Sequence, residues 1–335
     1  MGQKRWREKL LKFMDFCAGI GGGRFGLESI GLECVAYSEI DEAASETYRL
    51  FFGDREKNYG DLMSIDPEDL PYFDLMIAGF PCQSFSIVGK RKGLHDPRGS
   101  IIYGLIDILK AKSVKYFIFE NVKGLVNHDG GRTLAMILGD LNEAGYEVEW
   151  RVVNSLDYGV PQMRERIYFV GVRNDLIPVK GKFIWPSRVP APGLEEYLSS
   201  ENSRELDYRN DPTFNRYLSN KYNIGKWDIN ELIDEDYLII DTRQSDLRLY
   251  RGQVPTLRAG RHGILYVKSG KLKRLSGYEA LLLQGFPKDA ARKIRNNVSE
   301  TRLLSQAGNA MTVHVVSRIG TQLLEYLQNH MHTVA

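Results

Sequence analysis

Residues 11–23 read Leu-Lys-Phe-Met-Asp-Phe-Cys-Ala-Gly-Ile-Gly-Gly-Gly. Leu11–Phe16 is a short apolar run that ends directly in a glycine cluster, and residues 22–30 then carry a helical pattern. Strand, glycine turn and helix in that order open a doubly wound sheet. In such a sheet ligands bind at the carboxyl ends of the strands, and glycines let the backbone come close to them. Glu39 closes the next strand-like run, Glu33–Ser38, where a carboxylate is suited to ribose hydroxyls. Gly21, Gly23 and Gly26 also satisfy a G-x-G-x-x-G pattern, so on these residues alone a nicotinamide-type cofactor stays open, as does a merely structural turn. The loop indicates a nucleoside-containing cofactor without naming one.

The same alternation continues outward. Asp41–Phe52 reads as a helix started by Asp41, Phe73–Ala78 as a buried strand and Ile101–Lys110 as a helix. Lys115–Glu120 reads as a strand, Thr133–Ala144 as a helix, and Tyr146–Val153 and Arg166–Val172 as strands. Short apolar strands separated by helices imply an α/β fold with a mostly parallel sheet covered on both faces. After about residue 174 the prolines at 178, 186, 190 and 192 break the pattern, and polar sequence follows. A second, smaller domain is expected over 174–290, with 1–173 and 291–335 forming the first. Residues 304–328 read as one helix returning to that first domain.

Bulk composition narrows the setting. The chain of 335 residues has 43% hydrophobic and 26% charged residues, which suits a globular protein of one large and one smaller domain. No apolar run has a membrane-spanning length, and the opening residues Met1–Trp6 offer no apolar segment of the kind expected of a secretory signal. Three scattered cysteines, Cys17, Cys34 and Cys82, make neither a disulfide framework nor a four-cysteine metal site, so a reducing, cytoplasmic location is expected, with no metal. Net charge is only +2, but between Asp241 and Arg274 nine Lys or Arg face two Asp. That segment suits an anionic partner, and on charge alone equally suits a solvated loop.

Cys82 decides the chemistry. It lies in Gly79-Phe80-Pro81-Cys82-Gln83-Ser84-Phe85-Ser86, directly after the strand Phe73–Ala78 and hence on the ligand side of the sheet. A lone cysteine is often a small buried hydrophobe. Here Pro81 argues against a central strand, the flanks are polar, and Lys90, Arg91, Lys92 and Arg98 follow, cations that favour a thiolate.

Phe-Pro-Cys-Gln downstream of the glycine loop resembles the cytosine-5 DNA methyltransferases. Glu120-Asn121-Val122 resembles that family's Glu-Asn-Val motif, Gln162-Met163-Arg164-Glu165-Arg166 its Gln-x-Arg-x-Arg motif, and Gln306-Ala307-Gly308-Asn309-Ala310 its Gly-Asn element, all in the family's order. The resemblance covers residues 11–173 and about 275–328. It implies a Rossmann-like S-adenosylmethionine-dependent methyltransferase fold with a smaller target-recognition domain, of the bacterial restriction-modification type.

The resemblance also implies roles. Cys82 is the nucleophile toward cytosine carbon 6. Glu120 holds ring nitrogen 3 by hydrogen bond or proton donation, and Arg164 and Arg166 orient the base carbonyl and the catalytic carboxylate or contact phosphate. S-adenosylmethionine would be held by Cys17, Ala18, Gly19, Ile20, Glu39, Ile40, Asp61, Leu62, Pro81, Ile101, Asn309 and Ala310. The family often has an aromatic ring where this chain has Cys17, a side chain that cannot stack on adenine.

A base inside a duplex hides the face that a thiolate attacks, so base flipping is implied. The loop 83–100, with glycines at 89, 93 and 99 and a net charge of +3, is suited to closing over double-stranded DNA. Gln83, Ser86, Lys90 and Arg98 are its expected contacts. In the basic segment, Arg243, Arg248, Arg251, Thr256, Arg258 and Arg261, with Gln244, Gln253 and His262, mix base-reading and phosphate-binding side chains. A transfer-RNA cytosine methyltransferase would carry Pro-Pro-Cys-Gln and a later cysteine. Here Phe80 precedes Pro81 and no cysteine follows Cys82. A catalytically dead DNA-binding module leaves Cys82, Glu120 and Arg164 without purpose, and an oxidoreductase explains the glycine loop alone. A monomer is expected, with a cognate restriction endonuclease as a separately acting partner.

Overall fold

A computed structural model describes residues 11–81, 101–177, 182–199 and 203–331. In chain order the first half contains β1 (Lys12–Phe16), α1 (Gly22–Glu28), β2 (Glu33–Ser38), α2 (Glu42–Phe52), β3 (Leu75–Gly79), α3 (Ile101–Ala111), β4 (Tyr116–Val122), α4 (Arg132–Glu143) and β5 (Tyr146–Asn154). A two-residue strand β6 (Gln162–Met163) and β7 (Glu165–Arg173) follow. β1 pairs in parallel with β2 and β3, β3 pairs in parallel with β4, and β4 pairs antiparallel with β7, in the sheet order β2-β1-β3-β4-β7-β5. The expected α/β class and mostly parallel sheet are therefore present.

Helix and strand boundaries follow local chemistry. Asp41 caps α2, its Oδ1 accepting from the Ala44 N–H at 2.8 Å, as its position before the apolar pattern predicts. α3 opposes its wholly buried Leu105 and Leu109 to the sheet residues Phe117 and Phe119 in one core cluster, with Phe117 and Phe119 stacked at 4.3 Å. The glycine turn is fixed by space as well as torsion. Gly21 sits at φ +85°, and a Cβ there would fall 2.4 Å from the Phe52 ring. A Cβ on Gly22 would fall 2.4 Å from the Met311 carbonyl oxygen.

The second half contains α5 (Pro212–Leu218), α6 (Ile229–Leu232), β8 (Ile239–Asp241), β9 (Arg248–Tyr250), β10 (Val254–Pro255), β11 (Ile264–Lys268) and β12 (Lys271–Arg274). It ends with α7 (Gly277–Leu283), α8 (Lys288–Ile294), α9 (Glu300–Asn309) and α10 (Val313–Met331). Contacts divide the chain into two compact units: residues 1–153, 165–187 and 311–335, and residues 154–164 and 188–310. The second unit holds the antiparallel sheet β12-β11-β8-β9 over a core that includes Leu238, Ile240, Leu265, Val267 and Leu272, and also the short parallel pair β10-β6.

Three stretches group otherwise than the sequence expectation has it, since residues 154–164 and 291–310 fall in the second unit and 182–187 in the first. Residues 182–187 pack in the first unit because Phe183 and Trp185 bury there, Phe183 against Tyr326 and Trp185 beneath Arg151. The single helix expected over 304–328 is two helices. α9 ends in the second unit, where Ala310 is extended (φ −64°, ψ 147°), and α10 belongs to the first. Among the described residues no helix is long and apolar enough to cross a membrane.

Candidate active site

The parallel register brings the carboxyl ends of β1, β2, β3 and β4 to one edge of the first unit. Gly79 stands opposite Glu120, so Phe80 and Pro81 leave β3 beside the catalytic carboxylate expected from the sequence. Asn121 ties the two strands together. Its Nδ2 donates to the Phe80 carbonyl at 3.1 Å, and its Oδ1 accepts from the Val122 N–H at 2.7 Å. Asn121 is 1% exposed. Its amide therefore sets the path of the chain immediately before Cys82, a role that reading Glu-Asn-Val as a motif did not assign to it. Cys82 itself lies outside the described residues, as do Gln83, Ser86, Lys90 and Arg98.

Glu120 is buried at 7% exposure. Arg166, on the antiparallel neighbour β7, places its Nε 3.1 Å from Glu120 Oε1, with both side chains nearly covered. The contact is an ion pair off the line of a hydrogen bond, and among the described residues Oε1 has no hydrogen-bond partner. A buried carboxylate steadied by a guanidinium is suited to meeting a donor on a substrate. The Arg166 Nη1 donates to the Glu165 carbonyl at 2.8 Å, which fixes the guanidinium's orientation.

Around the glycine loop, Glu39 Oε2 accepts from the Gly19 N–H and Oε1 from the Asp41 N–H, both at 2.7 Å. A Cβ added at Gly19 would meet nothing within 4 Å, so the space beside the loop is open. Ile40 follows with 71% of its surface exposed, an apolar side chain left uncovered at the sheet edge. Asp61 caps the short turn Leu62–Ser64 through its Oδ1, and Leu62 and the partly buried Ile101 join the core behind. Cys17 adopts φ +49°, and its thiol is pushed up to about 12 by burial and then by Glu39, Asp15 and Asp61, so it stays neutral. Those residues present two carboxylates with lone pairs to spare, an exposed apolar side chain and a glycine turn bordering open space, a set that fits a nucleoside-bearing cofactor. Asn309 and Ala310 close α9 in the second unit.

Beneath the loop, Asp15 is fully buried, its carboxylate oxygens have no well-formed hydrogen bond among the described residues, and burial raises its pKa well above the usual carboxylate value. Arg24, 5% exposed, bonds Glu28 at 2.7 Å and Glu56 at 3.0 Å over the Phe52 ring. The sequence reading named neither Asp15 nor Arg24 as a site residue. A carboxylate at the end of a buried strand was the signal available for the first.

Arg164 and the second unit's arginines sort by burial. Arg164 is 2% exposed and donates to the carbonyls of Leu257 (3.3 Å), Gly308 (3.1 Å) and Ala310 (2.9 Å). Gln162 joins it, donating to the Leu283 carbonyl at 2.9 Å and accepting from the Leu257 N–H at 3.1 Å. Arg243, expected on DNA, is instead buried in a two-pronged pair with Asp241 (2.7 and 2.8 Å), and its Nη1 donates to the Thr256 carbonyl at 2.7 Å. The Thr256 hydroxyl donates to the Met163 carbonyl. Arg248 and Arg251 are exposed and pair with Asp246 and Glu235. Arg258 and Arg261 are exposed, with no carboxylate partner among the described residues.

The family model for C-5 cytosine-specific DNA methylases matches residues 11–325. Among similar proteins, the type II methyltransferase M.NgoBI of Neisseria gonorrhoeae is 36% identical over 92% of this chain and 91% of its own length. M.HaeII of Haemophilus aegyptius is 37% identical over 95% and 94%. Two solved structures share the fold. One is described as a prophage-encoded DNA modification methyltransferase of E. coli (TM-score 0.67, 20% identity, 95% of this chain and 99% of that one). The other is a DNMT2 variant of Spodoptera frugiperda (TM-score 0.64, 21% identity, 95% and 99%). A buried Glu120–Arg166 pair on a parallel sheet edge, a glycine loop facing Glu39 and a family match along nearly the whole length together make this chain a member of the C-5 cytosine-specific DNA methylases.

Proposed function

We propose that this enzyme methylates carbon 5 of a cytosine in a specific double-stranded DNA sequence, with S-adenosylmethionine as donor and a covalent Cys82–cytosine adduct as intermediate. The observation that supports it most is the buried Glu120, ion-paired through Oε1 with Arg166, beside the strand that delivers Phe80, Pro81 and then Cys82. Cytosine carbon 5 is a poor nucleophile, and covalent addition divides the difficult step. The Cys82 sulfur bonds to carbon 6 while Glu120 holds or protonates ring nitrogen 3, and carbon 5 becomes enamine-like. Loss of the carbon-5 proton and departure of Cys82 then restore the ring. Arg166 holds Glu120 in place. Arg164 acts as a positioning residue, through the carbonyls it binds. When bound, S-adenosylmethionine supplies an electrophilic methyl group. Glu39 is suited to its ribose, Asp61 to the adenine amino group, and Ile40 to the adenine face that Cys17 cannot stack on.

Sequence reading is assigned to the 174–290 region, with Arg258 and Arg261 as its foremost candidates. The enzyme is read as a cytoplasmic monomer, with any cognate endonuclease acting separately. Transfer of tritiated methyl to duplex DNA but not to transfer RNA, its loss in Cys82→Ala, and a denaturant-resistant adduct with 5-fluorocytosine DNA are the expected results. An active Cys82→Ala enzyme, or preferential labelling of transfer RNA, overturns the proposal.

A further inference from the structure

The second unit contains a cavity of about 190 Å³ that the catalytic and cofactor roles above do not use, although two of its lining residues, Arg258 and Arg261, are the candidates for sequence reading. Its apolar lining is Leu257, Ile264, Leu275 and Leu304, of which the first three are buried. Arg204, Arg258, Arg261 and Arg274 also line it, all exposed. Arg204 and Arg274 are joined through the backbone, the Arg274 N–H donating to the Arg204 carbonyl at 2.8 Å. Among the described residues Arg204, Arg258 and Arg261 have no carboxylate partner, and Arg274 has a 3.4 Å contact to Asp211 at the surface. Four arginines around one cavity, with so little carboxylate compensation, favour an anion there.

A bare phosphate uses the arginines and leaves the apolar wall idle. The lining also carries one carboxylate, Glu300, whose Oε2 accepts from the Gly277 N–H at 2.6 Å. A carboxylate beside an anion site is a liability unless the ligand brings an N–H donor toward it. His262 adds a flat ring held to the Ser305 hydroxyl at 3.0 Å, and burial lowers its pKa from the usual histidine value. Apolar wall, flat ring, one acceptor and an arginine rim match the parts of a nucleotide: two base faces, an amino or imino edge, and a phosphate.

We infer that this cavity is a nucleotide-binding pocket distinct from the cytosine and cofactor sites, taking a base against Leu257, Ile264, Leu275 and Leu304 and its 5′-phosphate on Arg204 and Arg274. The nucleotide comes either from bound DNA, as a residue lifted out of the stack, or from solution. The inference goes beyond the methylase reading and does not depend on it.

The test titrates the four deoxynucleoside 5′-monophosphates, the matching nucleosides and inorganic phosphate calorimetrically into the full chain, with S-adenosylhomocysteine present to occupy the proposed cofactor site. At least one monophosphate is expected to bind about tenfold or more tightly than phosphate or its nucleoside, and Arg204→Ala combined with Arg274→Ala to weaken it by about tenfold or more. The Arg204→Lys, Arg274→Lys pair keeps the charge but loses the fork, and is expected to fall between. Displacement of the monophosphate by duplex DNA, with 2-aminopurine fluorescence rising in wild type and not in the double alanine variant, assigns the pocket to a DNA nucleotide. Continued uptake by the DNA complex assigns it to a free one. Phosphate binding as tightly as every nucleotide, no nucleotide binding, or wild-type binding in a folded double variant overturns the inference. Methyl transfer by the wild-type preparation is scored separately, so its failure is distinguishable.

Discussion

Replacing Asn121 by Ala removes two bonds at once. The amide that donates to the Phe80 carbonyl at 3.1 Å and accepts from the Val122 N–H at 2.7 Å disappears. Val122 is 37% exposed, so water can reach its N–H. Phe80 is 3% exposed and Asn121 1%, so the carbonyl loses this donor in the dry interior. Losing such a buried hydrogen bond costs about 1 kcal/mol, which should appear as a melting temperature lower by about 1–2 °C. The catalytic consequence is expected to be larger than the thermodynamic one. Phe80 and Pro81 lead directly to Cys82, and a misplacement of about 1 Å in a reacting group is enough for a roughly hundredfold loss of rate. Single-turnover methyl transfer at saturating cofactor should therefore slow by about 10- to 100-fold, with cofactor affinity unchanged. Asn121→Asp restores the acceptor for Val122 but sets a carboxylate against the Phe80 carbonyl, so it should be no better than Ala. A wild-type single-turnover rate in a folded Asn121→Ala enzyme would refute the idea that this amide positions the nucleophile.

Arg243→Ala strands Asp241 and should destabilise the protein by about 3–5 kcal/mol in denaturant unfolding, whereas Arg248→Ala, at an exposed pair, should cost under about 1 kcal/mol. Equal effects of the two would undo the distinction drawn from burial. Glu39→Ala and Asp61→Ala should each weaken S-adenosylmethionine binding by about 1–3 kcal/mol in calorimetry without changing the DNA sequence modified. Arg258→Ala and Arg261→Ala should either relax one position of the site, read by bisulfite sequencing, or lower the salt slope of DNA binding by about one unit. Two silent variants would remove specificity from this loop. For Cys17, the folded thiol titrates at about 12, raised from 9.0, so its contribution to stability is complete below about pH 9 and fades as pH rises toward 12. Alkylation mapped by mass spectrometry at pH 8 should leave Cys17 unmodified in the native protein, and fast native-state labelling contradicts the assignment.

What the sequence made legible depended on how local the cause was. Glu33–Ser38 is a strand over the residues its apolar pattern marks, and Asp41 caps α2 as a lone Asp before an apolar face should. The break between α9 and α10 was not legible, because the leucine and valine spacing runs on through it. It becomes visible at Gly308, where a Cβ would fall 2.4 Å from the Ala259 backbone nitrogen, a neighbour 49 residues away in sequence. The basic segment shows the same limit. Counting charge across 241–274 gives Arg243, Arg251 and Arg258 equal weight, although the first is buried on Asp241, the second pairs with Glu235 and the third faces solvent. Gln-x-Arg-x-Arg placed Arg164 and Arg166 in one motif. β7 then carries Arg166 to Glu120, while Arg164 turns to the carbonyls of residues 257, 308 and 310.

Glu39 is held by the same chain turns that shape its surroundings, with one oxygen on the Gly19 N–H and the other on the Asp41 N–H. A free glutamate gives up about 1.5–2 kcal/mol of rotamer entropy when a ligand fixes it. Here folding has already exacted that loss, so the ribose proposed for this site would meet an acceptor already fixed in place. Cofactor capture should then resemble a key entering a cut lock, independent of whether DNA is present. It should also be unusually sensitive to shortening the side chain, since Glu39→Asp would slacken the glycine turn and the start of α2 together.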